Sequence, residues 1–404
     1  MTHGPDAGEV EKLADARRRL LDAVEAHGRT ETRTLVEAAG AVLARPVAAE
    51  RAVPHYERAT RDGFAVRSGD TRTDGRDGVE LALVGGDAPA EQVDRGQAAW
   101  VNTGSPLPAG ADAVVMVENA RRRDGTVEVP VDVAAGEYVE PAGSDIAAGQ
   151  QLFDAGHRLA PGDLGLLRST GHESVPAFEP PRVSVIPTGE ELVAAGADPA
   201  PGKVVETNGL VGSRLVEQWG GDATYRDVVT DDAAALAGAI ERDLDHDLVA
   251  TSGGTALGDR DLLSGVLGER GSMAVHGLAI SPGHSAGFGV VEDTPVVMLP
   301  GSPGASLVVA TQLLRPAVAA AGGFDPDPFP TTTATLSAPI RSDEGRRTFA
   351  RVAVAHGRAE PVGGGGAGAP ATAAQADGWI VVPEAVENRD AGDEVAVQRW
   401  DWWP

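Results

Sequence analysis

The chain has 404 residues, with 60 acidic side chains against 34 basic ones and a net charge of −26. At about 150 residues per domain, this length predicts two to three domains, each large enough to bury a core. The absence of Cys excludes disulfides, thiolate zinc sites, thiol nucleophiles and Cys-ligated iron–sulfur clusters, and the acid excess repels nucleic acid and anionic membranes. A small anionic substrate stays compatible, because it answers to the local field of a cleft. Hydrophobic content of 42% belongs to a globular chain. Lys12 and Lys203 are the only lysines. Acid excess with almost no Lys points to a halophilic host, whose ions screen the self-repulsion. No run reaches about 18 uninterrupted apolar residues; the best, Ser306 to Ala321, contains Gln312, Arg315 and Pro316. The N-terminus lacks a basic-then-apolar signal pattern, so the expected location is cytoplasmic.

In chain order, residues 8–44 read as two helices. Leu13, Leu20, Leu21 and Val24 form one apolar stripe, and Leu35, Val36, Ala39, Val42 and Leu43 another, with Thr30 as the second helix's N-cap. Residues 55–140 carry short Val-rich pieces between Gly, Asp and Pro: 64–66, 81–84, 113–117 and 127–129. They predict a β domain with tight turns. Turns and a short helix near Leu164–Ser169 follow over 141–180. From 182 the rhythm becomes strand–helix–strand. Strands are expected at 183–186, 224–229, 248–251, 275–280 and 296–299, and helices at 210–219, 232–243, 261–267 and 305–321. This alternation predicts a parallel sheet covered by helices on both faces. A last β-rich segment spans 330–404 and contains a glycine run at 363–366.

Open α/β sheets bind ligands beyond the carboxyl ends of their strands. Here the expected strands lead into Thr188-Gly189-Glu190-Glu191, Ser252-Gly253-Gly254-Thr255, Ser281-Pro282-Gly283-His284 and Pro300-Gly301-Ser302-Pro303. One such turn is commonly an ordinary connection; four at one sheet end argue for a phosphate or other oxyanion cradled by backbone N–H groups. Glu191, Asp231 and Asp261 project from the same end. Hard oxygen ligands suit Mg²⁺, although Asp231 and Asp261 also suit helix N-caps. The nine histidines show no zinc-ligand spacing. His284 reads equally as a turn residue or a functional one. Arg121-Arg122-Arg123 and Arg346-Arg347 read as solvated faces.

Asp62-Gly63-Phe64-Ala65-Val66, Asn102-Thr103-Gly104-Ser105-Pro106-Leu107-Pro108, Gly110 to Val115, Gly143-Ser144-Asp145-Ile146, Thr188 to Leu192, Ser252-Gly253-Gly254 and Leu299 to Pro303 occur in this order. The set resembles the molybdopterin molybdenumtransferases, related to the gephyrin E domain, over about residues 30–400. The resemblance implies an α/β multidomain protein with four parts. These are an N-terminal helical or mixed domain (1–50 and 141–180), an inserted β domain (51–140), a molybdopterin-binding three-layer α/β domain (181–326) and a C-terminal β-barrel (327–404). It implies a homodimer that inserts molybdate into adenylylated molybdopterin, with Mg²⁺ and release of AMP, in molybdenum cofactor biosynthesis. By position it implies catalytic roles for Asp62, Thr103, Asp145, Glu191, Asp231 and Asp261, with metal contacts from the last three. Asp62, Thr103 and Asp145 would complete the site across the dimer interface. The substrate-binding set expected with it is Thr188, Gly189, Asn208, Ser252, Gly253, Gly254, Thr255, Pro282, Gly283, His284, Pro300, Gly301, Ser302 and Pro303.

The chain departs from the family where Glu140 stands for Arg, Ser281 and His284 for Lys, Ser302 for Asn and Glu190 for Asp. Each lost charge-assisted bond is worth about 1.5–3 kcal/mol of oxyanion affinity. The alternatives are therefore a diverged pterin-binding or scaffolding paralogue without turnover, or a nucleotide-acting enzyme on the same α/β domain.

Overall fold

The computed structural model describes residues 10–75, 77–85, 89–255, 262–363 and 370–400. The chain divides into two compact units, Met1–Glu31 with Phe178–Pro404, and Thr32–Ala177.

The first unit holds a three-layer α/β domain. Four strands run parallel in the order Asp222–Tyr225, Arg182–Pro187, Leu248–Ser252 and Thr294–Leu299. Alternate residues serve opposite layers, as the two-residue period of a strand requires. Val183, Val185, Leu248, Ala250, Val297 and Leu299 pack with Leu13, Leu20, Leu215, Val216 and the long helix beginning at Pro303. Ile186, Val249, Val296 and Met298 pack with Leu236, Ile240, Leu263 and Leu267. Helices thus cover both faces, as the sequence predicts, and the helices Asn208–Gln218 and Ala233–Arg242 fall where expected.

The sheet is mixed, and here the all-parallel expectation fails. Gly287–Val291 and Ser272–His276 extend one edge in antiparallel pairing. The cause is local: only Glu292 and Asp293 separate Val291 from Thr294, with Glu292 at φ 52°. A two-residue connection closes a hairpin and cannot make a parallel crossover. Two glycines in five residues hid the extra strand. The expected 275–280 strand also splits at Gly277. Its end, Ile280–Ser281, pairs with the next domain's Arg347–Ala355 strand. The expected 224–229 strand lies at Asp222–Tyr225.

Pro303–Ala321 is one long helix with a π turn over Ala310–Leu314. It is long and apolar enough to cross a membrane, but 83% of its apolar window is buried inside the protein, so it is a core helix. Arg17 donates to the Gln312 carbonyl at 2.9 Å and to its side chain at 2.7 Å, satisfying backbone at the π turn. The C-terminal part is a closed barrel, because Arg347–Ala355 pairs with both Arg358–Pro361 and Gly378–Val382, and Thr331–Leu336 with Glu394–Gln398 completes the circuit.

The second unit contains a six-stranded sheet in the order Ala113–Met116, Gly63–Val66, Gln97–Val101, Val79–Val84, Thr126–Val129 and Arg121–Arg123. All four Val-rich pieces form strands, the third ending at Met116, one residue short of the expected 117. The expected helix over 35–43 is absent. Gly40, Ala41 and Leu43 exchange backbone hydrogen bonds with residues 157–159, and Val36 is exposed. Non-local pairing outcompetes a local helical period here. Thr30 begins a strand, Thr30–Thr34, and is no N-cap.

One buried carboxylate ties the α/β domain together. Asp243 is fully buried at the end of the Ala233–Arg242 helix. It accepts from Ser184 Oγ at 2.6 Å, Arg226 Nε at 3.0 Å and Arg242 Nη2 at 2.9 Å. Burial pushes its pKa up, but the bonds from Arg242, Arg226 and Ser184 outweigh it and hold the group well below 3.8. Its stabilising effect is therefore complete above that ordinary value and disappears as pH falls toward the lowered one. Asp243→Asn should cost about 2 kcal/mol, since both arginines keep access to water. Urea unfolding measured across pH should also show a flatter acid limb for the variant.

Candidate functional site

Three parallel strand ends meet in register. Thr188 donates its N–H to Ser252 O at 2.8 Å, and Gly253 donates to Leu299 O at 3.0 Å. Gly253 sits at φ +108°, and a Cβ there would lie 2.1 Å from the Thr188 carbonyl oxygen. No other residue fits this position without moving a loop. Gly301 approaches Gly253 Cα closely enough that its own Cβ would be in van der Waals contact at 3.6 Å. Asn208 Nδ2 donates to Gly301 O at 2.8 Å and ties the start of the Asn208–Gln218 helix to the same floor.

These turns open into a cavity of about 670 Å³. Of the expected binding residues, Thr188, Asn208, Ser252, Gly301, Ser302 and Pro303 line it, together with Glu191. Gly189, Gly253, Gly254 and Pro300 belong to the same turns and are not among its lining residues. Thr188 and Ser252 are 1% and 2% exposed. Their hydroxyls, with that of Thr251, are buried and have no hydrogen-bond partner among the described residues. Buried polar atoms are rarely left so. The two that belong to cavity-lining residues lie just behind the cavity wall, where acceptor oxygens of a ligand such as a phosphate ester would satisfy them once the glycine turns part slightly.

The acids stand on two neighbouring loops, Glu190 and Glu191 after the Arg182–Pro187 strand and Asp231 after the Asp222–Tyr225 strand. Asp231 Oδ2 accepts from Glu190 N–H at 3.4 Å. The Glu191 carboxylate folds over Gly189, its Oε2 2.8 Å from where a Cβ would stand. Asp232, and not Asp231, caps the Ala233–Arg242 helix, accepting from Ala235 N at 2.9 Å. The N-cap alternative for Asp231 is thereby removed. Asp261 lies outside the described residues. Among those residues no three His, Asp or Glu side chains converge as a ready metal cluster. The Glu191 and Asp231 carboxylates, on two neighbouring loops, are nevertheless a hard-oxygen donor set that suits Mg²⁺ retaining most of its waters.

The loop 281–285 stands beside this floor. Ser285 Oγ is 3.3 Å from Thr255 Oγ1. Gly283 packs against Val309 and Ile280, and Pro282, Gly283 and His284 are not among the cavity's lining residues. Three polar lining residues escaped the sequence reading: Lys203, Glu206 and Thr207. Glu206 is buried, accepts from Gly209 N at 2.6 Å, and takes a hydrogen bond from the Tyr225 hydroxyl. Burial and that bond push Tyr225 up to about 12. An acid three residues before a helical N–H is the one local signal that marked Glu206.

The second unit carries the remaining expected residues. Thr103 donates its N–H to Asp62 Oδ1 at 2.6 Å and its hydroxyl at 2.9 Å. These bonds hold the Asp62 carboxyl below its ordinary pKa, the backbone bond most strongly. Asp145 is exposed. Glu140 accepts from Arg58 Nε at 2.7 Å and Ser144 Oγ at 2.9 Å, so a guanidinium lies beside the position where the family resemblance implies a cation.

The orphaned hydroxyls make a sharp expectation. Thr188→Val and Ser252→Ala should leave urea stability unchanged or raise it by about 1 kcal/mol, since each removes an unsatisfied buried group. The same variants should weaken binding of a phosphate-bearing ligand about tenfold in calorimetry.

Residues 11–171 match the MoeA N-terminal region (domain I and II), 184–320 a probable molybdopterin binding domain, and 333–400 the MoeA C-terminal region (domain IV). The chain is 32% identical to molybdopterin molybdenumtransferase 2 of Mycobacterium tuberculosis over 91% of its own length and 94% of the relative's. It is 30% identical to the molybdopterin molybdenumtransferase of a Nostoc species over 76% and 72%. The crystal structure of a molybdopterin biosynthesis MoeA protein from Pyrococcus horikoshii superimposes with a TM-score of 0.86 at 32% identity, covering 98% of this chain and all of that one. With the α/β domain, the closed barrel and the strand-end cavity in place, this chain belongs to the molybdopterin molybdenumtransferase family, the MoeA transferases of molybdenum cofactor biosynthesis.

Proposed function

We propose that the chain inserts molybdate into adenylylated molybdopterin with Mg²⁺ and releases AMP. Its family supports a role in molybdenum cofactor biosynthesis. The observation that carries the finer reading is the cavity at the strand ends, lined by Thr188 and Ser252, whose unsatisfied hydroxyls lie just behind its wall. In this reading those hydroxyls donate to phosphate oxygens of the substrate. Asn208, anchored on Gly301, fixes the wall beside them. Glu191 and Asp231 would hold Mg²⁺, with Asp261 as a third acid. When bound, the ion polarises a phosphoanhydride and draws an oxyanion toward it. Gly301 would let backbone approach the guest closely, and Gly283 and the Gly253-Gly254 turn would support that floor from behind. Thr255, Pro282 and His284 would complete the binding face. Asp62, Thr103 and Asp145 of the second unit are the proposed further members of the machinery. The domain division 1–50 with 141–180, 51–140, 181–326 and 327–404, a homodimeric state, a cytoplasmic location and a high-salt host are part of the same proposal.

A pterin-binding or scaffolding protein without turnover is the second reading. Neutral Ser281 and titratable His284 favour it, because the resemblance implies lysines there.

Purified protein incubated with adenylylated molybdopterin and Mg²⁺ should release AMP when molybdate is added. Glu191→Gln and Asp231→Asn should each lower that rate about 100-fold. Tight pterin binding with no AMP release in concentrated KCl would instead establish the scaffolding reading.

A further inference from the structure

The cavity contains one residue that composition makes conspicuous. Lys203 is one of two lysines among 34 basic residues, and it lines the cavity. Among the described lining residues it is the sole base, set against Glu191 and Glu206. Glu206 is already engaged by Gly209 and Tyr225. The Lys203 ammonium donates to the Glu190 carbonyl at 2.6 Å and makes no ion pair among the described residues. It has three protons, and that bond uses one. The geometry thus leaves two N–H donors and a charge with no ion-pair partner among the described residues, on an exposed side chain of the cavity lining.

We infer that Lys203 is the cation that binds the anionic, phosphate-bearing part of the substrate, in place of the charges absent at Ser281 and His284. The inference rests on the proposed reading for the identity of the substrate, and on the cavity itself for anion binding. Its chemistry follows from the side chain. An ammonium is a compact point charge on a flexible stem. It can keep its carbonyl anchor on Glu190 while turning its other protons to a phosphate oxygen. A planar guanidinium spreads its charge over a rigid fork and does this less readily. That difference gives a chain so rich in Arg a physical reason to hold Lys at this place. Val204 and Val205, which follow it, pair in parallel with Leu192 and Val193. Lys203 therefore rides on a short ribbon that begins next to Glu191, and anion binding there is coupled in space to the acidic loop.

The probe is AMP, titrated by calorimetry into the intact protein at low and high KCl. Lys203→Gln should weaken AMP at least about tenfold and flatten the salt dependence, with the melting temperature unchanged. Lys203→Arg, which keeps the charge, should retain most of the affinity and the full salt dependence. Wild-type affinity in Lys203→Gln overturns the inference, and so does a wild type that fails to bind AMP at millimolar concentration. Equal loss in the Gln and Arg variants together with a lowered melting temperature also overturns it, because Lys203 is then a latch on Glu190. Molybdate-dependent AMP release separates the two ideas. Full release by Lys203→Gln defeats the inference and leaves the function standing. Lys203-dependent AMP binding without any release from adenylylated molybdopterin defeats the function and leaves the anion site standing.

Discussion

The Thr188 carbonyl and the Gly253 backbone occupy space that a single extra carbon would deny them. The rest of the site is arranged around that contact. It brings the ends of two parallel strands together, and Gly301 from a third strand end closes on the same glycine. Asn208 then pins a helix start to Gly301. Four separate stretches of chain thereby share one floor, and the cavity is what remains above it. Packing this tight also explains the orphaned hydroxyls. The Thr188 and Ser252 hydroxyls are shut in by it, without partners among the described residues.

Electrostatics adds a second layer. A chain with net charge −26 repels an anionic guest at long range, and screening salt removes most of that repulsion beyond about 10 Å. At contact the balance is local. The cavity lining offers one ammonium and the Glu191 carboxylate, with Asp231 on a neighbouring loop, a combination that fits an anion bridged by a divalent cation better than a bare anion. Structural charge is spent elsewhere. Asp243 gathers Arg226 and Arg242 inside the α/β domain, and Arg29 clasps Asp247 through two bonds of 2.9 and 2.6 Å.

Much of this was legible in the residues. The strands at 183–186, 248–251 and 296–299 and the helices after 208 and 232 follow from periodicity and Gly or Pro boundaries, because each is encoded within about ten neighbouring positions. The glycine turns announced the ligand end for the same reason. Helix 35–43 failed because its apolar residues answer to the 157–159 segment, a partner more than a hundred positions away. The antiparallel edge was missed because the two-residue turn at 292–293 signals a hairpin only once both flanking strands are recognised.

The sequence by itself determined the family, the α/β rhythm, the glycine turns and the acids placed after each strand, all properties of short local words. Only the tertiary structure decided that the sheet is mixed, that Asp232 and not Asp231 caps its helix, that the 281–285 loop flanks the cavity floor, and that Lys203 stands at the cavity. Those facts depend on which atoms are neighbours across long stretches of chain. Side-chain satisfaction and local charge are set by such neighbours, and no local pattern contains them.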